Sequence, residues 1–284
     1  MLRSIRCLLL LVGLTLPQIA QAQSTMSPVD PGSAAFMHGD YALALQEWAK
    51  KAEAGDAEAI NNIGILYNKG FGVEKDAKKA AVFYRKAAEM GFANAQFNLA
   101  NLYYAGNGVE RSLGEAAQLY RAAADRGHQA AQYYLGLMYI DGEGVPQDKA
   151  QGLAWIRRAA DADNVAAQFT AGQLMVEDDN APADIQKGAE YVLASAQAGH
   201  PKAALLMAQL YNAGKGAEKN DLEAYIWARI AADRLQPGQD SRKAQNLIDD
   251  LEGRLDDGAI KAAERVIAIR NPKPEAAEGE TPPQ

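Results

Sequence analysis

The sequence predicts an all-α protein: a right-handed superhelical solenoid of helix-turn-helix repeats with a period of 36 residues, closed by C-terminal capping helices. Composition favours helices, because 48% of the residues are hydrophobic, only 7% are aromatic, and alanine is abundant. Small residues recur at the 36-residue interval in two columns: Gly55, Gly91, Gly127, Asp163 and Gly199, and Ala59, Ala95, Ala131, Ala167 and Ala203. A period kept over five copies without an insertion indicates stacked units.

Each unit is predicted to contain two helices joined by a glycine-containing turn. The first helix, for example 57–69, carries an apolar stripe with helical spacing, formed by Ala59, Ile63, Leu66 and Tyr67. It ends at Gly70-Phe71-Gly72, because glycine adopts the left-handed conformation that terminates helices. The second helix, for example 76–90, begins with the capping acid Asp76 and directs a second set of side chains inward: Ala80, Phe83, Tyr84, Ala87 and Ala88.

Two further columns of small residues predict close contact between the helices of one unit. On the first helix the column is Gly64, Ala100, Gly136, Gly172 and Ala208, and on the second it is Ala80, Ala116, Gly152, Gly188 and Ala224. A single hairpin cannot bury its apolar face, but stacked neighbours can. The units are therefore expected to form a superhelix with one concave surface.

The repeat domain is expected to span residues 34–235. Residues 40–55 align with 76–91, which places a divergent unit near the start, and Pro237-Gly238 ends the last one. Residues 236–270 have helically spaced apolar positions and are predicted to form two capping helices. Residues 271–284 are rich in Pro, Glu and Ala, which predicts a disordered tail.

The N-terminus has the features of a secretory signal peptide, predicted to span residues 1–22. Arg3 and Arg6 precede a short apolar run, and Ala20-Gln21-Ala22 resembles a cleavage site. The apolar run is too short for a stable membrane anchor, although an uncleaved anchor is the alternative. We expect a periplasmic or secreted protein cleaved near Ala22, with residues 23–33 as a linker.

Cleavage would remove the only cysteine, Cys7, and with it any disulfide, thiol nucleophile or thiolate metal site. It would also remove Arg3 and Arg6 but no acid, which takes the net charge from −7 to −9. An acidic chain argues against binding to nucleic acid or to an anionic membrane surface, because both require clustered Lys and Arg.

The repeat resembles the Sel-one-like repeat (SLR), a relative of the tetratricopeptide repeat. Residues 94–109, which read NAQFNLANLYYAGNGV, carry the resemblance together with residues 83–91 of the preceding helix. The resemblance covers about residues 34–235. The 36-residue period, the pair of turn glycines and the alanine columns all match the family pattern. The fourth unit departs from the pattern, because residues 175–182 lack the tyrosine and both turn glycines. An irregular hairpin is expected there.

The resemblance implies a non-catalytic scaffold for protein–protein interaction, since SLR proteins are generally interaction modules. Exported bacterial members include periplasmic regulators of signalling and exopolysaccharide production. The alternative is a cell-wall or β-lactam hydrolase of the secreted SLR type. Those members resemble one another in having paired cysteines in each repeat, and the mature chain is expected to have none. An enzyme is therefore the less favoured interpretation.

No catalytic, cofactor-binding or metal-binding motif is predicted. The Gly-x-Gly pairs follow helices rather than strands, so they are helix stops and not nucleotide fingerprints. His128 and His200 share a repeat column, lie two units apart, and are expected to be solvated. Residues 177–180 read EDDN but lack the alternating ligands and distal glutamate of a calcium loop, so a solvated turn is the favoured interpretation.

The first helices are expected to line a partner-binding groove. In tetratricopeptide-like arrays the positions that correspond to 61, 62, 65 and 68 face the concave side, and here those columns vary. Asparagine can both donate to and accept from a peptide backbone, while tyrosine adds rigid contact area. The predicted contacts to a protein or peptide segment are Asn62, Asn98, Asn101, Tyr104, Tyr133 and Tyr134. The alternative for Phe97, Tyr133 and Phe169 is packing between adjacent units.

Overall fold

The computed structural model describes residues 30–178 and 182–271, and within these ranges every regular element is a helix. The described elements are α1 (Pro31–Met37), α2 (Tyr41–Glu53), α3 (Ala57–Lys69), α4 (Ala77–Glu89), α5 (Ala93–Ala105), α6 (Leu113–Ala124), α7 (Gln129–Asp141), α8 (Lys149–Asp161), α9 (Val165–Glu177), α10 (Pro182–Gln197), α11 (Pro201–Ala213), α12 (Asp221–Arg234), α13 (Gln239–Glu252) and α14 (Asp257–Arg270).

Helices that are consecutive in the chain pack against each other, and this order builds the solenoid. The closest pairs are α3 with α4, α5 with α6, α7 with α8, α9 with α10, and α11 with α12, which are the predicted units. Each first helix also packs against the second helix of the preceding unit, as α5 does against α4. The predicted all-α solenoid of helix-turn-helix repeats is therefore confirmed.

Caps set the helix bounds within each unit. The Asp76 side chain accepts a hydrogen bond from the Lys79 backbone N–H at 2.9 Å, so α4 begins at Ala77. The first glycine of each turn ends the first helix in the left-handed region, with φ of 79° at Gly70. Gly106, Gly142 and Gly214 end α5, α7 and α11 in the same way.

The second glycine of each turn has a role that the sequence analysis did not predict. Gly144 has a φ of 72°, and a Cβ added there would collide with the carbonyl group of Leu113, the first residue of α6 in the preceding unit. A Cβ on Gly108 would lie 2.5 Å from the carbonyl oxygen of Ala77, the first residue of α4. The second glycine therefore allows one unit to stack closely on the next.

The predicted close approach of helices within a unit is confirmed at the small-residue columns. A Cβ added to Gly136 would lie 2.8 Å from the Gly152 carbonyl oxygen, and a Cβ on Gly152 would lie 2.7 Å from that of Gly136. In the first unit a Cβ on Gly64 would lie 2.7 Å from the buried ring of Tyr84. Larger side chains at these positions would force the two helices apart.

The fourth unit is irregular, as its missing glycines predict. Helix α9 ends at Glu177 with the extended residue Asp178, and α10 already begins at Pro182. Helix α10 has 16 residues, whereas α4 and α8 have 13. The two helices nevertheless pack closely, so the array continues through this unit. Residues 179–181 of the predicted turn lie outside the described residues.

The prediction for the N-terminal boundary needs a correction. Helix α1 begins at Pro31, inside the stretch 23–33 that was predicted to be a linker. Asp30 caps this helix by accepting from the Ser33 N–H at 3.0 Å, and it also accepts from the Trp48 indole Nε1 at 3.0 Å. Pro31 thus starts a helix, because proline is well suited to the first helical position. The predicted signal peptide lies outside the described residues.

The C-terminal helices α13 and α14 both pack against α12 of the last unit. Ala244, Ile248 and Leu251 of α13 and Ala263 of α14 are buried in this contact. None of the described helices combines the length and the apolar character needed to cross a lipid bilayer. The predicted tail lies outside the described residues from residue 272 onward.

Candidate partner-binding groove

The first helices of the units form one continuous face, here called the groove. Adjacent first helices touch at α3–α5 and α9–α11. Side chains 37 residues apart form a ladder along the groove. Its rungs are Asn61 with Asn98 at 2.9 Å, Phe97 with Tyr134 at 6.0 Å between ring centroids, and Tyr133 with Thr170 at 3.3 Å.

An asparagine cluster occupies the N-terminal part of the groove. The Asn98 Nδ2 donates to the Oδ1 of buried Asn61, and the Asn61 Nδ2 donates to the Asn62 Oδ1 at 3.3 Å. Within the described part of the chain, the Asn98 Oδ1 and the Asn62 Nδ2 make no hydrogen bond. One acceptor and one donor of this cluster are therefore left without an intramolecular hydrogen bond. Beside Asn62, Lys51 pairs with Asp30 and, as the main cause, lowers the pKa of that carboxyl to about 2.

Aromatic rings occupy the middle of the groove. Tyr134 stacks on buried Tyr120, with ring centroids 5.7 Å apart, and 43% of Tyr134 remains exposed. Phe97 is half-buried against Tyr120, Tyr134 and the His128 ring. Tyr133 is also half-buried, and its hydroxyl lies 3.3 Å from the Thr170 hydroxyl. Phe97 and Tyr133 therefore pack between units, whereas the Tyr134 ring is partly exposed on the groove.

Asn101 and Tyr104 lie one turn further along α5. The Asn101 Oδ1 accepts from the buried Tyr120 hydroxyl at 2.5 Å, and its Nδ2 has no partner among the described residues. Tyr104 is 38% exposed and donates its hydroxyl to the Glu143 carboxylate at 2.8 Å. That hydrogen bond is the main reason why the pKa of Tyr104 is raised. The groove thus offers Tyr104 and Tyr134 as rings, and Asn62, Asn98 and Asn101 as amides.

The C-terminal part of the groove contains a cavity of about 230 Å³ that the site prediction missed. Phe169, Leu205 and Leu206 form its apolar lining, and Gln173 and Gln209 add amides. Lys202 of α11 and Lys243 of α13 share the Asp240 carboxylate at its edge, with distances of 3.8 and 3.3 Å. This cavity was hard to predict from the sequence, because part of its lining comes from α13, which lies outside the 36-residue period.

The prediction that His128 and His200 are solvated was wrong. Each is the N-cap of a first helix, and its Nδ1 accepts a hydrogen bond from a backbone N–H: Ala131 at 3.1 Å and Ala203 at 3.2 Å. Each ring also stacks on a phenylalanine of the preceding unit, with 4.5 Å between the centroids of His128 and Phe97. Burial is the main cause that lowers the pKa of both imidazoles. These histidines are structural parts of the groove wall.

The described residues contain no group of three or more His, Cys, Asp or Glu side chains placed to hold a metal ion. The carboxylates described above are engaged in pairs or caps. Asp30 contacts Lys51, Glu143 accepts from Tyr104, and Asp240 lies between two lysines. The groove is therefore a surface of rings, amides and apolar side chains.

The Sel1 repeat family model matches residues 57–92, 93–128, 129–164, 165–200 and 201–234, in the same register as the helix pairs. This chain belongs to the Sel1 repeat family. The resemblance seen in the sequence is thereby confirmed, and the family consists mainly of non-catalytic scaffolds whose members generally bind other proteins. The unit formed by α1 and α2 lies before the matched range.

Solved structures of other Sel1 repeat proteins are similar to this one. A Sel1 repeat protein from Oxalobacter formigenes is 28% identical, with a TM-score of 0.67 over 79% of this chain and 98% of that one. A protective antigen with an SLR fold, present in uropathogenic Escherichia coli strains, is 23% identical, with a TM-score of 0.47 over 84% of this chain and 67% of that one. No curated protein sequence matches this chain.

Proposed function

We propose that this Sel1 repeat protein is a non-catalytic scaffold that holds a segment of another protein in its groove. One observation carries the proposal: exposed Tyr104 and Tyr134 lie on the same face as the amide atoms of Asn98 and Asn101 that lack intramolecular partners. Rings supply contact area at low entropic cost, and the open amides match the N–H and C=O groups of a peptide backbone. An extended or helical segment lying across the first helices would meet both.

The experiment is affinity capture with a double variant, Asn98→Ala/Tyr134→Ala. Interface residues of this type carry much of the binding energy, so we expect capture of the partner to fall at least about tenfold. The matched control is Val82→Ala/Gln151→Ala, which removes exposed side chains from the second helices α4 and α8. Thermal unfolding of both variants checks that the fold is retained. Equal capture by wild type and the groove variant would remove the groove assignment.

We further propose that the scaffold acts outside the cytoplasm, in the periplasm or after secretion, and contributes to the regulation of envelope signalling or exopolysaccharide production. The signal-peptide features of residues 1–22 support the location, and the resemblance to exported family members supports the role. Cell fractionation with N-terminal sequencing should find the protein in the periplasm or medium, beginning at Gln23. A cytoplasmic protein that retains Arg3 would contradict the export proposal.

A further inference from the structure

The junctions between units contain a repeated contact between arginine and aromatic side chains. One column of the second helices reads Ala49, Arg85, Arg121, Arg157, Leu193 and Arg229. The Arg85 guanidinium donates to the Tyr103 hydroxyl of the next unit at 3.0 Å. The Arg121 guanidinium lies 5.3 Å from the centre of the Tyr139 ring, again in the next unit. Each arginine thus covers an aromatic side chain across the junction between two units.

The later junctions keep this contact even where the repeat departs from its pattern. In the fourth unit Met175 replaces the tyrosine, Arg157 reaches the hydroxyl of Tyr191 on α10, and the Lys187 ammonium lies 4.7 Å from the centre of the Tyr191 ring. At the last junction Leu193 replaces the arginine, and the capping helix α14 supplies another one. Arg270 lies 5.5 Å from the Trp227 ring centre and pairs with Glu223 at 2.7 Å. A guanidinium therefore lies on the aromatic ring at the last junction, although the second-helix column has leucine there.

The first junction is different because Ala49 stands where the next three units have arginine. It contains a cavity of about 280 Å³ lined by Leu45, Ala49, Ile63, Tyr67 and Phe83, and none of the described arginines lines it. The Tyr67 and Phe83 rings are stacked, with centroids 5.6 Å apart. The Lys79 ammonium lies 5.3 Å from the Tyr67 ring centre but does not line the cavity. We call this cavity the arginine socket.

We propose that the arginine socket binds an arginine side chain of a partner protein. Three later junctions show how a guanidinium fits such a site, because Arg121 and Arg270 lie over the Tyr139 and Trp227 rings and Arg85 donates to the Tyr103 hydroxyl. The planar guanidinium stacks on aromatic faces and donates to a tyrosine hydroxyl, which lysine does less well. Glu53 on the rim supplies a carboxylate of complementary charge. Lys86 on the same rim disfavours a dense basic segment, so a single arginine is the expected occupant.

This surface is separate from the groove, so the socket and the groove can be tested independently. On α3 the socket uses Ile63 and Tyr67, whereas the groove uses Asn61 and Asn62. If the groove variants still captured the partner, the proposal for the arginine socket would stand unchanged. If the socket did not bind arginine, the proposal for the groove would stand unchanged.

The test is an NMR titration of the methyl-labelled protein with N-acetyl-arginine amide. The methyl signals of Leu45, Ile60 and Ile63 report on the cavity lining. We expect saturable shifts with arginine, binding about two- to fivefold weaker with the lysine analogue, and none with the neutral citrulline analogue. Equal shifts with arginine and citrulline would overturn the proposal, as would the absence of a saturable response up to the solubility limit of arginine.

Ala49→Arg should fill the socket from within the chain and abolish the response to added arginine. The matched control is Ala154→Arg, which adds the same charge at an exposed position of α8. Phe83→Leu is a second variant, in which leucine replaces the ring as Leu119 does in the next unit, and it should weaken binding while keeping the fold. An Ala49→Arg protein that still responded like wild type would show that the shifts arise elsewhere.

Discussion

At the scale of single residues, His128 and His200 should make the stability of the fold depend on pH. Each Nδ1 accepts a backbone hydrogen bond, which requires it to be unprotonated, and each ring stacks on a groove phenylalanine. Burial lowers the pKa of both rings below the ordinary 6.5, and the Lys202 ammonium lowers that of His200 further. The unfolded chain therefore binds more protons than the folded one as the pH falls below 6.5.

We expect the free energy of unfolding to be highest above pH 6.5 and to decrease as the pH falls through the lowered pKa values of the two histidines. Urea unfolding followed by circular dichroism between about pH 7.5 and about pH 5 measures this. The control is His128→Asn/His200→Asn, because Asn164 caps α9 in the same column. The double variant should lose less stability on acidification than wild type. An identical loss in both proteins would contradict the role of the histidines.

The capping role of these histidines was missed because Ser, Thr, Asp and Asn are the usual N-caps. The column itself held a signal. Asp56 and Asn164, which align with His128 and His200, cap α3 and α9 with the side chains expected of caps. Conversely, the sequence could not show that the Asn61, Asn62 and Asn98 amides partly satisfy one another, because that depends on how adjacent first helices are spaced.

At the scale of helices and turns, the second glycine of each turn should be sensitive to substitution because it lies against the preceding unit. Gly144→Ala would place a Cβ against the Leu113 carbonyl, in addition to the strain of a left-handed alanine. We expect a loss of at least about 2 kcal/mol in the free energy of unfolding, measured by urea denaturation. Gly114→Ala is the control, because it meets nothing within 4 Å and should be neutral or stabilise α6 by about 0.5 kcal/mol. Similar losses in both variants would refute the stacking role.

A glutamine column also ties units together. Gln96, Gln132 and Gln168 are buried, and each donates its Nε2 to a carbonyl near the end of the preceding second helix, as Gln132 does to Ala124 at 3.1 Å. Gln132→Ala should remove one of the two hydrogen bonds to that carbonyl, which keeps the Gly127 N–H, and cost about 0.5–1.5 kcal/mol of stability. Gln151→Ala, at an exposed site on α8, is the control. Thermal and urea unfolding measure the stability of both variants. Equal stability of the two would contradict a role for the Gln132 hydrogen bond.

Helix positions were predictable because glycine and aspartate mark them locally. The first helix of the first repeat was predicted at 57–69, and α3 spans Ala57–Lys69. The glutamine column was visible as three identical residues next to the alanine column, but nothing in the sequence indicated which backbone group they contact. The second glycine was assigned only to helix termination, because its contact with the preceding unit depends on the stacking of whole units.

At the scale of the whole molecule, the capping helices should be needed for a soluble monomer. Helices α13 and α14 cover α12 and bury Ala244, Ile248, Leu251 and Ala263 in a cluster that includes Trp227. A chain that ends at residue 236 would expose this apolar surface, so we expect increased binding of a hydrophobic dye and self-association in sedimentation velocity. A chain that lacks only residues 272–284 is the control and should behave as wild type. Monomeric behaviour of both truncated chains would contradict the capping role.

The period predicted the array, because the core columns repeat. It did not predict the C-terminal cavity, since Asp240 and Lys243 of α13 meet Lys202 only after α13 has packed on the last unit. The arginine socket was also hidden in the sequence. Ala49 interrupts a column of arginines, but its meaning depends on the aromatic contacts that those arginines make in the folded chain.

The ladder along the groove has an evolutionary consequence. Every rung joins a residue to another one 37 positions later. Each unit therefore contacts its immediate successor, and the contact does not depend on where in the chain the pair of units lies. Duplication or loss of one 36-residue segment of the gene would therefore preserve the rungs on either side and change only the length of the groove. The area of the groove can thus grow or shrink in discrete steps, without the redesign of a core that a globular domain would need.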